Sequence, residues 1–253
     1  MHVVICGYGR MGQEVEQVLL SRGHSVVTRI DPAPDRGDTR ALKPADLKGC
    51  NGVIEFSLAD AVTANARTYI EAGVPAVVGT TGWEDKRAEV EQAVQDSDSG
   101  YLVGSNFSIG ANLMFALTAK AAAIINSFPE YDIMVQEYHH TRKKDSPSGT
   151  ALTLAEKILS VNQAKTEIVS ECLHRQIKPH ELHVGSVRGG SIPGIHTVTL
   201  DSPADTIALT HSARNRSGFA TGAVMALEWL QGRKGFFTVD DFIEDLIARS
   251  QEQ

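Results

Sequence analysis

The first hundred residues alternate between two kinds of apolar pattern. Short, mainly apolar runs occupy His2 to Cys6 (HVVIC), Ser25 to Ile30, Gly52 to Phe56 (GVIEF), Val74 to Val78 and Tyr101 to Val103. They are too short for helices and rich in β-branched residues, so they predict strands buried on both faces. Between them apolar residues recur at helical spacing. Met11, Val15, Val18 and Leu19 form one such series, Ala59 to Ala72 ahead of Gly73 a second, and Trp83 to Gln95 a third. That rhythm predicts helices alternating with a parallel sheet. A long apolar helix over Ala111 to Ile125 ends the rhythm. Asp132 to Tyr138 then reads as a strand and Ala151 to Leu159 as a helix. Three extended segments follow, Glu181 to Val187, Ile195 to Leu200 and Thr206 to Ser212. The turn cluster Asp201-Ser202-Pro203-Ala204-Asp205 between the last two predicts a hairpin. Ala220 to Leu230 and Val239 to Ala248 are helical again.

The first run ends on Gly7-Tyr8-Gly9-Arg10-Met11-Gly12, a GxGxxG at a strand-to-helix turn. Gly7 permits the tight turn, Gly9 lets backbone approach a pyrophosphate, and Gly12 lets helix and strand pack closely. The helix start supplies amide donors and a positive dipole end. The second run ends on Asp31, nineteen residues after Gly12, where a carboxylate can accept hydrogen bonds from ribose hydroxyls. Together these predict a dinucleotide site; the bland alternative is a plain βαβ turn. Asp31 would repel a 2′-phosphate, which favours NADH, while Arg29, Arg36 and Arg40 are near enough in sequence to leave NADPH open. Phe56 and the exit loops Gly79-Thr80-Thr81 and Gly104-Ser105-Asn106-Phe107 share the carboxyl edge of such a sheet. They are candidates for the nicotinamide half of the site, or ordinary glycine-containing loops. The expected fold class is α/β: a Rossmann-type parallel-sheet domain over residues 1–108 and 218–253, and a smaller α+β domain with a mixed sheet over 109–217.

Composition narrows the partners. The 253 residues carry a net charge of −7, which argues against nucleic acid or an anionic membrane as partner. Cys6, Cys50 and Cys172 are scattered, with no metal-ligand spacing, as expected of thiols in a reducing cytosol. Met1 leads straight into a strand, and no window approaches about 18 uninterrupted apolar residues, so neither a secretory leader nor a membrane span is expected.

Against this acidic background, Glu137 to Leu152 (EYHHTRKKDSPSGTAL) concentrates two histidines, an arginine and two lysines. Alternation puts Ile133, Val135, Glu137 and His139 on one side of the strand. With the strand ending near Tyr138, the histidines are expected in a loop at its tip. The turn Ser146-Pro147-Ser148-Gly149-Thr150 enters the next helix, and its amides and hydroxyls suit a carboxylate. Lys143 and Lys144 add point charge, and histidine is a proton donor near the working pH. The combination predicts a small acidic substrate that needs proton delivery. The competing readings are a solvated basic loop and, less well supported because neighbouring side chains diverge, a metal site with Glu137. No metal is expected. The turn does not match the GxxxxGK phosphate loop.

These residues resemble the signature of the 4-hydroxy-tetrahydrodipicolinate reductase (dihydrodipicolinate reductase) family of lysine biosynthesis. Its hallmark E-x-H-H-x-x-K-x-D-x-P-S-G-T-A stands here as Glu137 to Ala151 without a gap. GxGRMG, Glu55-Phe56-Ser57, Gly79 to Gly82, Asn106 to Gly110, His211 to Arg216, Phe219-Ala220 and Gly222-Ala223-Val224 are also family-like and in order. The resemblance implies reduction of an unsaturated cyclic dicarboxylate of the diaminopimelate route by NADH or NADPH. It implies His139 as proton donor and Lys143 as its partner, with His140, Ser148, Gly149 and Thr150 holding the substrate's carboxylates. Gly7 to Gly12 would take the pyrophosphate and Asp31 the ribose. Gly79, Thr80, Thr81 and Gly104 to Phe107 would flank the nicotinamide. A cytoplasmic homotetramer, built through the second domain's sheet, and a hinge between the domains are implied too. Two departures bear on the cofactor: DPAPDRGDTR replaces a longer loop after Asp31, and Pro32 stands where the family has an arginine. Two other readings stay open. One is a different NAD-linked dehydrogenase of amino or keto acids; the other is a dinucleotide-binding sensor, which would have no use for the His-His-Lys group.

Overall fold

In the computed structural model, which describes residues 1–251, the buried runs pair into a parallel sheet. Its strands are β1 His2–Cys6, β2 Ser25–Ile30, β3 Gly52–Glu55, β4 Ala76–Val78 and β5 Gly100–Val103. Helices α1 Arg10–Ser21, α2 Ala59–Glu71 and α3 Arg87–Gln95 alternate with them. β1, β3, β4 and β5 are largely apolar because both faces are covered, while the edge strand β2 is partly exposed and carries Thr28 and Arg29. Val3 and Ile5 point into one core with α1, while Val4 and Cys6 point into another with Val62, Tyr69, Val90 and Val94 of α2 and α3. Glu55 is the polar exception, fully buried, and it accepts hydrogen bonds from Asn65 at 2.8 Å and Tyr69 at 3.0 Å.

The order is β2-β1-β3-β4-β5, with a sixth strand, β11 Gly235–Thr238, outside β5; all neighbours are parallel. The sequence pattern did not show β11. Strand order reverses between β1 and β3, which places a ligand crevice at their carboxyl ends. Among the described residues no further strand lies beyond β2, because residues 31–51 fold back on it through Asp31 and Thr39 instead. Two more helices, α6 Ser217–Leu230 and α7 Val239–Gln251, complete this unit, Met1–Ile109 with Arg216–Gln253.

The second unit is Gly110–Asn215. Helix α4, Ile109–Ile124, leads into β6 Asp132–His139 and α5 Gly149–Leu159. Strands β7 Glu167–Val169, β8 Glu181–Arg188, β9 Ile195–Asp201 and β10 Thr206–Ser212 follow. The sheet order is β10-β9-β6-β8-β7. It is mixed, since β6 runs parallel to β8 and antiparallel to β9, and β9–β10 is the expected hairpin. Ile133, Val135, Leu182, Val184, Val198 and Leu200 face one core, covered by Met114, Phe115 and Ala122 of α4 and Leu154, Ala155 and Ile158 of α5. By length and composition the helical stretch Ile109–Ser127 could cross a membrane; here α4 contributes one face to this core.

Candidate active site

In the first unit the site is made by what is missing. Gly7 has φ +89°, and a Cβ there would overlap the Phe56 carbonyl. A Cβ on Gly12 would overlap the carbonyl of Gly7, so α1 seats on β1 only with glycine at this position. Gly9 is the N-cap of α1, with nothing within 4 Å of where its Cβ would stand and no side chain capping the helix. The α1 N-terminus therefore keeps its amide donors and dipole for an anion, and a dinucleotide pyrophosphate fits this cradle. Around it Met11 packs on the core, Arg10 is exposed, and the Tyr8 hydroxyl donates to Glu16.

Asp31 lies at the end of β2, 7% exposed, and one carboxylate oxygen accepts from the Ala33 amide at 2.9 Å. Arg29, two residues earlier, is held by Glu16 and, at 3.2 Å, by Asp38. Those hydrogen bonds, Glu16 first, raise the guanidinium's already high pKa. On the carboxyl edge, the Phe56 ring packs against Gly79 and meets Phe107 edge-on at 6.2 Å. Thr80 accepts from the Ser57 amide at 2.8 Å. Gly104, Thr81 and Ser105 border this edge, and the Asn106 side chain accepts from the Ser108 amide. Phe107 itself is 2% exposed and belongs to the core, so its contribution to a ligand would be backbone.

In the second unit the site is a convergence of side chains. His139 is the last residue of β6, not part of a loop, because β6 keeps pairing with β8 through His139↔Arg188. It therefore points inward beside Glu137, as alternation requires. Register puts His196 of β9 opposite Glu137 and Ser186 of β8 beside it. Glu137 is fully buried. One of its oxygens is bonded to His139 Nδ1; the other accepts from Arg188 Nη2 at 2.7 Å and the Ser148 amide at 3.2 Å. Arg188 also donates to the Asp145 carbonyl at 2.7 Å. The His139 and His196 rings meet edge-on at 5.2 Å. His196 Nε2 lies 3.0 Å from Ser148 Oγ, and that oxygen caps α5 by accepting from the Ala151 amide.

Burial dominates the electrostatics. It lowers the His139 pKa; Glu137 pulls the other way, while Lys143 and Arg188 add to the lowering. It pushes His196 down to about 4, with His139 contributing. Burial pushes the Glu137 carboxyl up, but Arg188, Ser186, His139 and the Ser148 amide together bring it below the ordinary range. The basic run is thus divided. Arg142 and Lys144 are exposed, while Lys143 is half-buried and paired with Asp145 at 2.9 Å. His140 leaves the strand, its amide bonded to the Ile192 carbonyl and its Nδ1 buried without a partner. Gly149 and Thr150 form the first turn of α5 beside them. Ligand-type atoms of Glu137, His139 and His196 lie within 4.8 Å of one another, a grouping that the adjacent histidines in sequence did not suggest. In this structure Glu137 is bonded to His139 and Arg188, and His196 to Ser148.

Residues 1–107 match the family described as dihydrodipicolinate reductase, N-terminus, and residues 110–243 match dihydrodipicolinate reductase, C-terminus. The chain belongs to the dihydrodipicolinate reductase family. A relative from Christiangramia forsetii, named 4-hydroxy-tetrahydrodipicolinate reductase, is 37% identical over 97% of this chain and 99% of its own. One of the same name from Archaeoglobus fulgidus is 35% identical over 96% and 100%. Among solved structures, a dipicolinate-bound dihydrodipicolinate reductase from Paenisporosarcina sp. TG-14 shares the fold, with a TM-score of 0.77 at 21% identity over 95% of this chain and 98% of that one.

Within this reductase, sequence reading missed Arg188 and His196. Neither sits in a motif, but both carry a signal. Along each strand the inward positions change from apolar to polar at one end of the sheet: Ile133 and Val135 to Glu137 and His139 in β6, Leu182 and Val184 to Ser186 and Arg188 in β8, and Leu200 and Val198 to His196 in β9. Three such changes in register mark a polar pocket at one end of a core.

Proposed function

We propose that the chain reduces 4-hydroxy-tetrahydrodipicolinate, with His139 delivering the proton that accompanies the hydride. As a member of its family the chain is an NAD(P)H-dependent 4-hydroxy-tetrahydrodipicolinate reductase of lysine biosynthesis. The observation that carries the residue assignment is the buried Glu137–His139 pair beside the capped start of α5. The bound nicotinamide supplies the hydride. Gly7, Tyr8, Gly9, Arg10, Met11 and Gly12 hold the pyrophosphate, and Asp31 the adenosine ribose. Phe56, Gly79, Thr80, Thr81, Gly104, Ser105, Asn106 and Phe107 flank the nicotinamide. Lys143, His140 and the Ser148-Gly149-Thr150 turn neutralise and orient the substrate's carboxylates, which is positioning plus electrostatic stabilisation.

Two features of the first unit support a preference for NADH. Asp31 repels a 2′-phosphate, and Arg29, the basic residue closest to it in sequence, is engaged by Glu16 and Asp38. The outward face of the five-stranded sheet supports a homotetramer. Tyr138 and Val187 stand exposed there among Thr197, Thr199 and Thr210, with no layer over them among the described residues. The reading places the enzyme in the cytoplasm, with no nucleic-acid or membrane partner.

Steady-state kinetics with freshly generated substrate and each cofactor in turn is the test. Turnover with a higher kcat/KM for NADH is expected. No turnover with either cofactor would refute the activity, and equal kcat/KM values would refute the preference. Mass measurement in solution tests the tetramer.

A further inference from the structure

Resting on the reading of His139 as proton donor, we propose that Glu137 is its positioning residue. Its carboxylate fixes the ring so that Nδ1 stays protonated and buried, and Nε2 is the nitrogen that exchanges the proton. An ionised carboxylate can only accept hydrogen bonds, so the ring nitrogen bonded to Glu137 must carry hydrogen. The tautomer follows, as does the free nitrogen. Nε2 faces Gly194, where a Cβ would stand 2.9 Å from it; glycine leaves that nitrogen uncovered. The Gly194 segment is itself tied down, its carbonyl accepting from the Ala213 amide at 2.9 Å.

The charges around the ring make Glu137 decisive. Lys143 approaches from the loop after β6, Arg188 from β8 and His196 from β9, with His211 beyond it on β10. Among acidic groups Glu137 acts most strongly on His139, through both charge and a hydrogen bond. Arg188 takes the other carboxylate oxygen and so competes with His139 for the same charge. Loss of Glu137 removes the ring's bonded carboxylate and leaves Lys143 and Arg188 acting on it. Loss of Arg188 leaves the carboxylate to the ring. The two changes must move the donor in opposite directions.

The donor acts when protonated, so the rate falls as pH rises through its pKa. Glu137→Gln should move that fall to lower pH. The loss in kcat should be about tenfold or more well above the wild-type pKa and shrink as pH falls through it. Arg188→Met should move the fall to higher pH. NMR titration of the His139 ring in each variant should follow the same two directions without reference to turnover. A loss of rate that is uniform in pH, with an unmoved ring titration, would overturn the proposal. If Glu137→Gln does not fold, Arg188→Met decides alone, and an unmoved or lowered fall refutes it. The two readings fail separately. A moving ring titration with normal turnover in His139→Gln sinks the donor and leaves the positioning. A dead His139→Gln with an unmoved titration in both other variants does the reverse.

Discussion

At the carboxyl end of β1 the glycine loop offers almost no side chains; at the carboxyl end of β6 five side chains from three strands and a helix cap crowd into one buried network. The first region presents backbone amides and a helix dipole, which need no counter-ion and titrate nowhere. The second uses ionisable groups out of water, where each one sets the protonation of its neighbours. Geometry limits the first region. Proton inventory limits the second.

Four experiments test that contrast, beginning with the largest effect. His139→Gln and Lys143→Ala should each lower kcat by at least ~10²-fold while NADH affinity is little changed, because neither residue belongs to the backbone cradle. Weakened NADH binding would break the separation. Next, pH should destabilise the second region and not the first. His196 titrates near 6.5 when unfolded and is pushed to about 4 in the fold by burial. The folded state then binds the proton less well than the unfolded chain. Stability is complete above pH 6.5 and is lost as pH falls towards 4, by at most about 3 kcal/mol. Urea unfolding at pH 7.5 and 5 reads this, and His196→Gln should flatten the difference.

Gly12→Ala is third. It forces a methyl onto the Gly7 carbonyl, for about 1–3 kcal/mol of strain and weaker NADH binding. Kinetics at saturating NADH should find the KM for 4-hydroxy-tetrahydrodipicolinate unaltered; a parallel loss would show that the regions are not independent. The smallest effect is Glu16→Gln, which loosens Arg29 by leaving it Asp38 alone as a charged partner. It should raise NADPH use relative to NADH severalfold in kcat/KM, and an unchanged ratio would mean that Arg29 plays no part in discrimination.

The same contrast explains what could be read from sequence. A backbone cradle is local, so GxGxxG, the preceding apolar run and Asp31 announce it within thirty-one residues. Strands buried on both faces are equally legible, because almost every position is apolar. The strands that were missed, Glu167–Val169 and Gly235–Thr238, are three and four residues long and lie at sheet edges, too short for any period to show. In the second region, Glu137 and His139 were legible through alternation, but their surroundings were not. Arg188 and His196 lie 51 and 59 residues from Glu137, and only strand register brings them to it. The placement of His139 in a loop failed for a related reason. A polar residue at an inward position looks like a strand end until the neighbouring strand is known to continue beside it.

Arg216–Gln253 returns to the first unit after the second has been built. Ala220, Ala223, Val224, Leu227 and Leu230 of α6 are fully buried, and β11 adds the last strand beside β5. During synthesis this orders events in time. Residues 110–215 leave the ribosome as a complete unit while the parallel sheet still lacks the helix that covers one of its faces. Newborn chains therefore carry an uncovered apolar surface that only the final segment can close. A chain stopped short of Arg216 would keep its second unit whole and never finish the unit that was begun first.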